Sequence, residues 1–133
     1  MPVRVVTGLL VKDHKILMCQ RHANKEHYPF HWEFPGGKVE EGETLFHALQ
    51  RELREELEIF VPNAELWFED TMSYSNAMTY HVSFFLVKNF EGELVNTEFE
   101  DIRWFTLSEL DSLQHLSGNA NILRKIKEEG LPR

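Results

Sequence analysis

The stretch Gly36–Ile59, GGKVEEGETLFHALQRELREELEI, decides how this chain is read. Leu45, Phe46, Leu49, Leu53 and Leu57 recur at helical spacing and share one face at about 100° per residue. A helix is therefore expected from Thr44, a hydroxyl N-cap, to Glu58, with Pro62 blocking its continuation. On it Glu52, Glu55 and Glu56 stand at i, i+3 and i+4, within an arc of about 100°. Like charges at that spacing destabilise an isolated helix, and Glu56 lies beside the Leu49/Leu53 face. Two readings fit: a solvated acidic face partnered by Arg51 and Arg54, or a hard-cation site. Clustered carboxylate oxygens suit Mg²⁺ or Mn²⁺, which retain waters that substrate phosphates can replace.

Outward from this helix the chain reads as alternating strands and turns. Val3 to Val11 and Ile16 to Gln20 are strands joined by the turn Lys12-Asp13-His14-Lys15, hence a hairpin. Residues 21–32 are polar, contain Pro29 and read as an irregular loop; Phe34-Pro35-Gly36-Gly37 reads as a breaker. Strands are expected over Leu66 to Ser75, Thr79 to Lys88 and Ile102 to Phe105, with a turn at Asn89–Gly92. The strand after Thr79 is apolar on both faces at its end, as in a sheet covered on both sides. Thr106 to Glu109 fits a capping box, and a last helix runs from Asn119 to Glu129, stopped by Gly130 with Pro132 beyond. The pattern is α/β, a mixed sheet sandwiched between helices.

With 133 residues the chain suits one domain spanning 1–133, able to bury a core without disulfides. Cys19 is the only cysteine, so no internal disulfide can form and a cytoplasmic location is expected, with Cys19 a buried strand thiol. No apolar run reaches membrane-spanning length, and the N-terminus lacks a signal-peptide pattern. The net charge of −8 repels nucleic acid and anionic membranes, so no stable complex with either is expected. Phosphates could be bound only through local basic residues or divalent cations. His27 and His31 are interrupted by Pro29 and the chain lacks HExxH, so zinc is not expected. The P-loop, GxGxxG and GxSxG patterns are missing as well.

The segment resembles the Nudix box, G-x5-E-x7-R-E-U-x-E-E-x-G-U with U apolar, through Gly37, Glu43, Arg51, Glu52, Leu53, Glu55, Glu56 and Ile59. It departs where the box glycine is Glu58, so the chain is expected to leave the helix differently. WEFPGGKVEEGET is similar to the MutT-type form of the box, and the resemblance extends loosely over residues 3–126. It implies the Nudix fold and hydrolysis of a nucleoside triphosphate to monophosphate and pyrophosphate. The favoured substrates are oxidised purine nucleotides such as 8-oxo-dGTP, and a pyrimidine triphosphate such as CTP or dCTP is the rival. A non-catalytic nucleotide-sensing module is the non-enzymatic rival, against which the intact glutamates argue. The protein would act as a monomer or a homodimer.

The resemblance also implies Mg²⁺, replaceable by Mn²⁺, on Glu52, Glu55, Glu56 and the Gly36 carbonyl. A loop carboxylate before the last strand would join them, Glu98 first and Glu100 second. Glu52 is favoured as general base, with Glu98 the alternative. Glu43 and Arg51 would pair to tie loop to helix, a role suited to a bidentate guanidinium. Arg21 and Lys38 are the expected phosphate contacts. Phe34 would face the base, or else pack in the core. Asn119 would read a purine edge, or else cap the last helix.

Overall fold

A computed structural model describes residues 2–73 and 77–131. Its strands are β1 (Val3–Lys12), β2 (Lys15–Gln20), β3 (Trp32–Glu33), β4 (Gly36–Lys38), β5 (Glu65–Ser73), β6 (Thr79–Val87) and β7 (Asp101–Thr106). The helices are α1 (Leu45–Leu57), α2 (Leu107–Leu110) and α3 (Ala120–Glu129), with a 3₁₀ turn at Ser117–Asn119. The expected end of the fifth strand, at 74–75, and Pro132 lie outside the described residues.

β1 and β2 form the expected hairpin. Lys12 pairs with Lys15 across Asp13 and His14, both at positive φ, the backbone that two-residue hairpin turns require. β1 is the hub of the sheet. It runs parallel to β6 from Val3 to Leu10 and antiparallel to β4 on its other edge from Val5 to Thr7. β5 lies antiparallel outside β6, with a bulge between Leu66 and Phe68. β2 carries β7 along one edge and β3 on the other. The sheet is therefore mixed, as the residue pattern requires.

Two expectations about the segment before α1 are corrected. Trp32 belongs to β3 rather than to the preceding loop, and Gly36-Gly37 begin β4 rather than only breaking the chain. Both strands are too short to show a period; they exist because β2 and β1 offer free edges. Pro35 turns the chain between them, and its carbonyl accepts from the Gly8 N–H (2.8 Å).

Period-two alternation sorts the strands onto two covered faces. Leu9, Val11, Ile16, Met18, Val82, Phe84 and Leu86 face Ile122 and Ile126 of α3. Val6, Leu10, Leu17, Cys19, Phe85 and Val87 face Ala48, Leu49, Leu53 and Leu57 of α1. Each fully buried leucine or isoleucine contributes roughly 1.5–3 kcal/mol, so both helices are held by the sheet rather than by propensity. Among the described residues no helix is long and apolar enough to cross a membrane.

α1 begins as expected, with the Thr44 hydroxyl accepting from the His47 N–H (3.1 Å). Its exit corrects the expectation drawn from Glu58. Glu58 takes the left-handed conformation (φ 57°, ψ 35°) that a glycine would favour, and its N–H bonds the Arg54 carbonyl (3.0 Å). The turn is kept and the strain is borne by an L-residue.

Candidate active site

α1 presents the three glutamates toward β4, but not equally. Glu56 is buried, and its Oε1 accepts from the Gly36 N–H (3.0 Å). Glu52 lies directly against Gly37, where an added Cβ would stand 2.5 Å from both carboxylate oxygens. At Gly36 an added Cβ would collide with the Val6 carbonyl. The two glycines thus let β4 lie flush between β1 and the carboxylates. Glu55 is half exposed at the outer edge. Among the described residues no three His, Cys, Asp or Glu side chains close into a ready-made cage. The i, i+3, i+4 carboxylates repel one another, and Arg51 draws two of them toward itself.

Arg51 is the clamp of the site. Its Nε and Nη2 donate to Glu43 Oε2 (2.8 Å) and Oε1 (2.9 Å), the expected bidentate pair. Nη2 also donates to the Lys38 carbonyl (3.0 Å), and Nη1 to Glu52 Oε1 (2.9 Å) and Glu55 Oε2 (3.4 Å). One guanidinium therefore joins the end of β4, the loop before α1 and two of the glutamates. Its hydrogen bonds, with that of the Glu40 N–H, hold the Glu43 carboxyl down to about 2. Glu56 moves the other way: burial first, then the charges of Glu52, Glu98 and Glu33, push its carboxyl up to about 9 against the Gly36 hydrogen bond. Burial also raises Glu52, opposed by Arg51 and reinforced by Glu55 and Glu98.

Glu98 reaches this group through a device at the end of α1. The Thr97 hydroxyl donates to the carbonyls of Glu55 (2.7 Å) and Glu56 (2.9 Å), and the Val95 N–H to that of Leu57 (2.9 Å). Helix-end carbonyls that would lack partners are satisfied by the loop, and Glu98 is left where its charge acts on Glu52 and Glu56. Glu100 turns away: it faces His22 (3.6 Å), and its N–H bonds the Gln20 carbonyl. The geometry ranks Glu98 above Glu100.

On the far side of Gly36-Gly37 opens a cleft of about 530 Å³. Arg21, Phe34, Lys38 and Asn119 all line it, so four residues separated by up to 98 positions meet where a ligand could touch each. Asn119 precedes α3 but makes no side-chain capping bond, which removes the capping alternative. Phe34 packs edge-on to Phe84 in the core, as one of its two expected roles requires, and also lines the cleft. Arg21 is already engaged, with Nη1 on Glu33 Oε2 (2.9 Å) and Nε on the His27 carbonyl (3.1 Å). Glu33, Tyr28 and Thr97 were not anticipated. A carboxylate inside the apolar run WEFP was a usable signal for Glu33; Tyr28 and Thr97 had none.

An α1 carboxylate cluster, clamped by one arginine and backed by a glycine strand beside a cleft, offers oxygen donors for a hard cation next to space for a phosphate chain. The NUDIX domain family matches residues 1–126. The 8-oxo-dGTP diphosphatase of Haemophilus influenzae is 31% identical over 129 residues, covering 96% of this chain and 93% of that one. The CTP pyrophosphohydrolase of Escherichia coli is 35% identical over 120 residues, covering 90% and 86%. The crystal structure of a MutT NUDIX hydrolase from Burkholderia pseudomallei superposes with a TM-score of 0.82 at 27% identity, covering 94% and 97%. The chain belongs to the Nudix hydrolase family, and within it to the MutT type. Members of this family need divalent metal ions. The donors here, carboxylates raised by burial and mutual repulsion, fit a hard cation.

Proposed function

We propose that the protein hydrolyses (deoxy)nucleoside triphosphates to monophosphates and pyrophosphate with Mg²⁺, and that oxidised purines such as 8-oxo-dGTP are its favoured substrates. The carrying observation is one wall with two uses. Gly36-Gly37 separate Glu52 and Glu56 from a cleft lined by Phe34 and Asn119, so a nucleotide in the cleft lays its phosphates across the glycines. Clearing such nucleotides from the cytoplasmic pool would be its duty.

Glu52, Glu55, Glu56, Glu98 and the Gly36 carbonyl would hold the metal, which when bound offsets phosphate charge and acidifies water. Lys38 and the open side of the Arg21 guanidinium take the outer phosphates. Arg51 occupies Glu52 Oε1, so Oε2 is the oxygen presented to an attacking water, and Glu52 is assigned as general base. The water oxygen bonds to phosphorus, the bridging P–O bond breaks toward pyrophosphate, and the proton passes to the carboxylate. Glu98 is the second candidate base.

A pyrimidine triphosphate is the second reading, supported by the similarity to a CTP pyrophosphohydrolase. Comparing kcat/KM for 8-oxo-dGTP, dGTP, dCTP and CTP, each with and without Mg²⁺, decides between them. Preference for 8-oxo-dGTP supports the first reading and preference for CTP the second. Binding without any turnover would instead identify a nucleotide sensor.

A further inference from the structure

Residues 21–31 form a tied loop over the cleft. Its neck is Arg21, whose N–H donates to the His31 carbonyl (2.9 Å) and whose carbonyl accepts from the Phe30 N–H (3.0 Å). The Arg21 side chain holds the His27 carbonyl from inside (3.1 Å). These bonds keep Tyr28 and Phe30, either side of Pro29, at φ 54° and 60°. Left-handed backbone is unfavourable for aromatic residues, and such strain persists only where surroundings over-determine it.

Tyr28 is what this arrangement aims. Its ring lines the cleft yet remains 41% exposed, whereas Phe34, in the same cleft, is 5% exposed. The Tyr28 ring meets the His31 ring edge to face, with centroids 5.3 Å apart and an interplanar angle of 70°. The hydroxyl lies 3.3 Å from Ser117 Oγ, in the turn that ends at Asn119. The loop is thereby clasped to the segment that carries the base-reading amide.

We propose that Tyr28 is a recognition residue: its ring stacks on the nucleobase, and its hydroxyl, bonded to Ser117, sets the distance between loop and Asn119. The inference rests on the nucleotide-hydrolase reading and adds that affinity for the base is supplied by a clasp closed across the cleft. A base offers a π-face to the ring whatever its identity, so Tyr28 separates nucleotides from base-free phosphates, while Asn119 separates one base from another.

The test measures binding of dGMP, dCMP and inorganic pyrophosphate, with Mg²⁺, to wild type, Y28A, Y28F, S117A and Y28F/S117A. Y28A is expected to weaken both monophosphates roughly tenfold or more and leave pyrophosphate unchanged. Y28F and S117A are each expected to weaken the monophosphates about two- to fivefold, and the double variant no more than either, because both remove one bond. Thermal unfolding confirms that each variant is folded; S117A, on a different segment, tests the clasp should Y28A not fold. Monophosphate affinity unchanged in Y28A, an equal loss for pyrophosphate, or additive losses in the double variant would overturn the proposal. If wild type neither binds nor hydrolyses any nucleotide, the underlying reading has failed instead.

Discussion

Replacing Glu56 by glutamine should stabilise the metal-free protein while removing its response to metal. The Gly36 N–H keeps an acceptor, because a glutamine oxygen can stand where Glu56 Oε1 stands, 3.0 Å away. What changes is charge. The wild-type carboxyl titrates near 4.5 when unfolded and at about 9 when folded. A raised folded-state value contributes stability that is complete below pH 4.5 and is lost progressively as pH rises through 9. At pH 7.5, about three units above the unfolded value and still below the folded one, holding Glu56 protonated in the folded protein costs about 4 kcal/mol, at about 1.4 kcal/mol per unit. Local relaxation and water entry reduce this to about 2–4 kcal/mol. Glutamine carries no such cost, so the variant should melt roughly 6–15 °C above wild type at pH 7.5 in EDTA. The difference should vanish near pH 4.5 and level off above pH 9. Urea unfolding of both proteins at pH 5, 7.5 and 9, in EDTA and again in excess Mg²⁺, reads all of this. A difference that does not change with pH, or a variant less stable at pH 9, would refute the burial argument. A variant whose melting still rises with Mg²⁺ as much as wild type would refute the metal assignment.

Other outcomes follow from the same contacts. E55Q should lose activity by orders of magnitude in steady-state assays. It should unfold within about 1 kcal/mol of wild type, since its 3.4 Å contact with Arg51 is half exposed. N119A should raise KM for purine triphosphates more than for pyrimidine ones without lowering Tm, because the side chain caps nothing; equal KM effects would remove it from base recognition. E58G should add about 0.5–1 kcal/mol in urea unfolding, as relief of left-handed strain outweighs the added chain entropy. Destabilisation by glycine there would contradict the strain reading.

The parts legible in the sequence are those set by local rules. α1 was readable because its leucines keep helical period and Thr44 caps it, and the first hairpin because Asp13-His14 separates two apolar runs. The clamp between Arg51 and Glu43 was readable through family resemblance, and so was the meeting of Phe34 and Asn119 in one cleft. What stayed hidden depends on contacts between distant segments. β4 is a glycine-rich piece of three residues that is a strand only because β1 has a free edge. Thr97 matters because α1 ends with unsatisfied carbonyls 41 and 42 residues earlier in the chain. Glu58 is a departure because the box has a glycine at that position. The contacts of the following segment, where Phe60 and Glu91 exchange two backbone bonds, hold the turn regardless.

The same electrostatics explains why so acidic a chain can act on a polyanion. Glu52 and Glu56 are both pushed upward by burial and by neighbouring carboxylates, Glu55 and Glu98 acting on Glu52 and Glu52, Glu98 and Glu33 on Glu56, and the Arg51 guanidinium is shared with Glu43 and Glu55. The folded site therefore carries uncompensated negative charge whenever its carboxyls ionise. A triphosphate brought to the cleft adds more of the same sign. Divalent cations relieve both burdens at once, so nucleotide and metal should each raise the other's affinity by the same factor, as linkage requires. A cation held by Glu56 would displace its proton, so on the proposed assignment its apparent affinity should climb with pH until about 9 and then level. Calorimetric titration of Mg²⁺ in two buffers of different ionisation enthalpy counts that proton directly. Release of close to one proton at pH 7.5 is expected from wild type and none from E56Q, and equal proton release from both would show that Glu56 does not receive the ion.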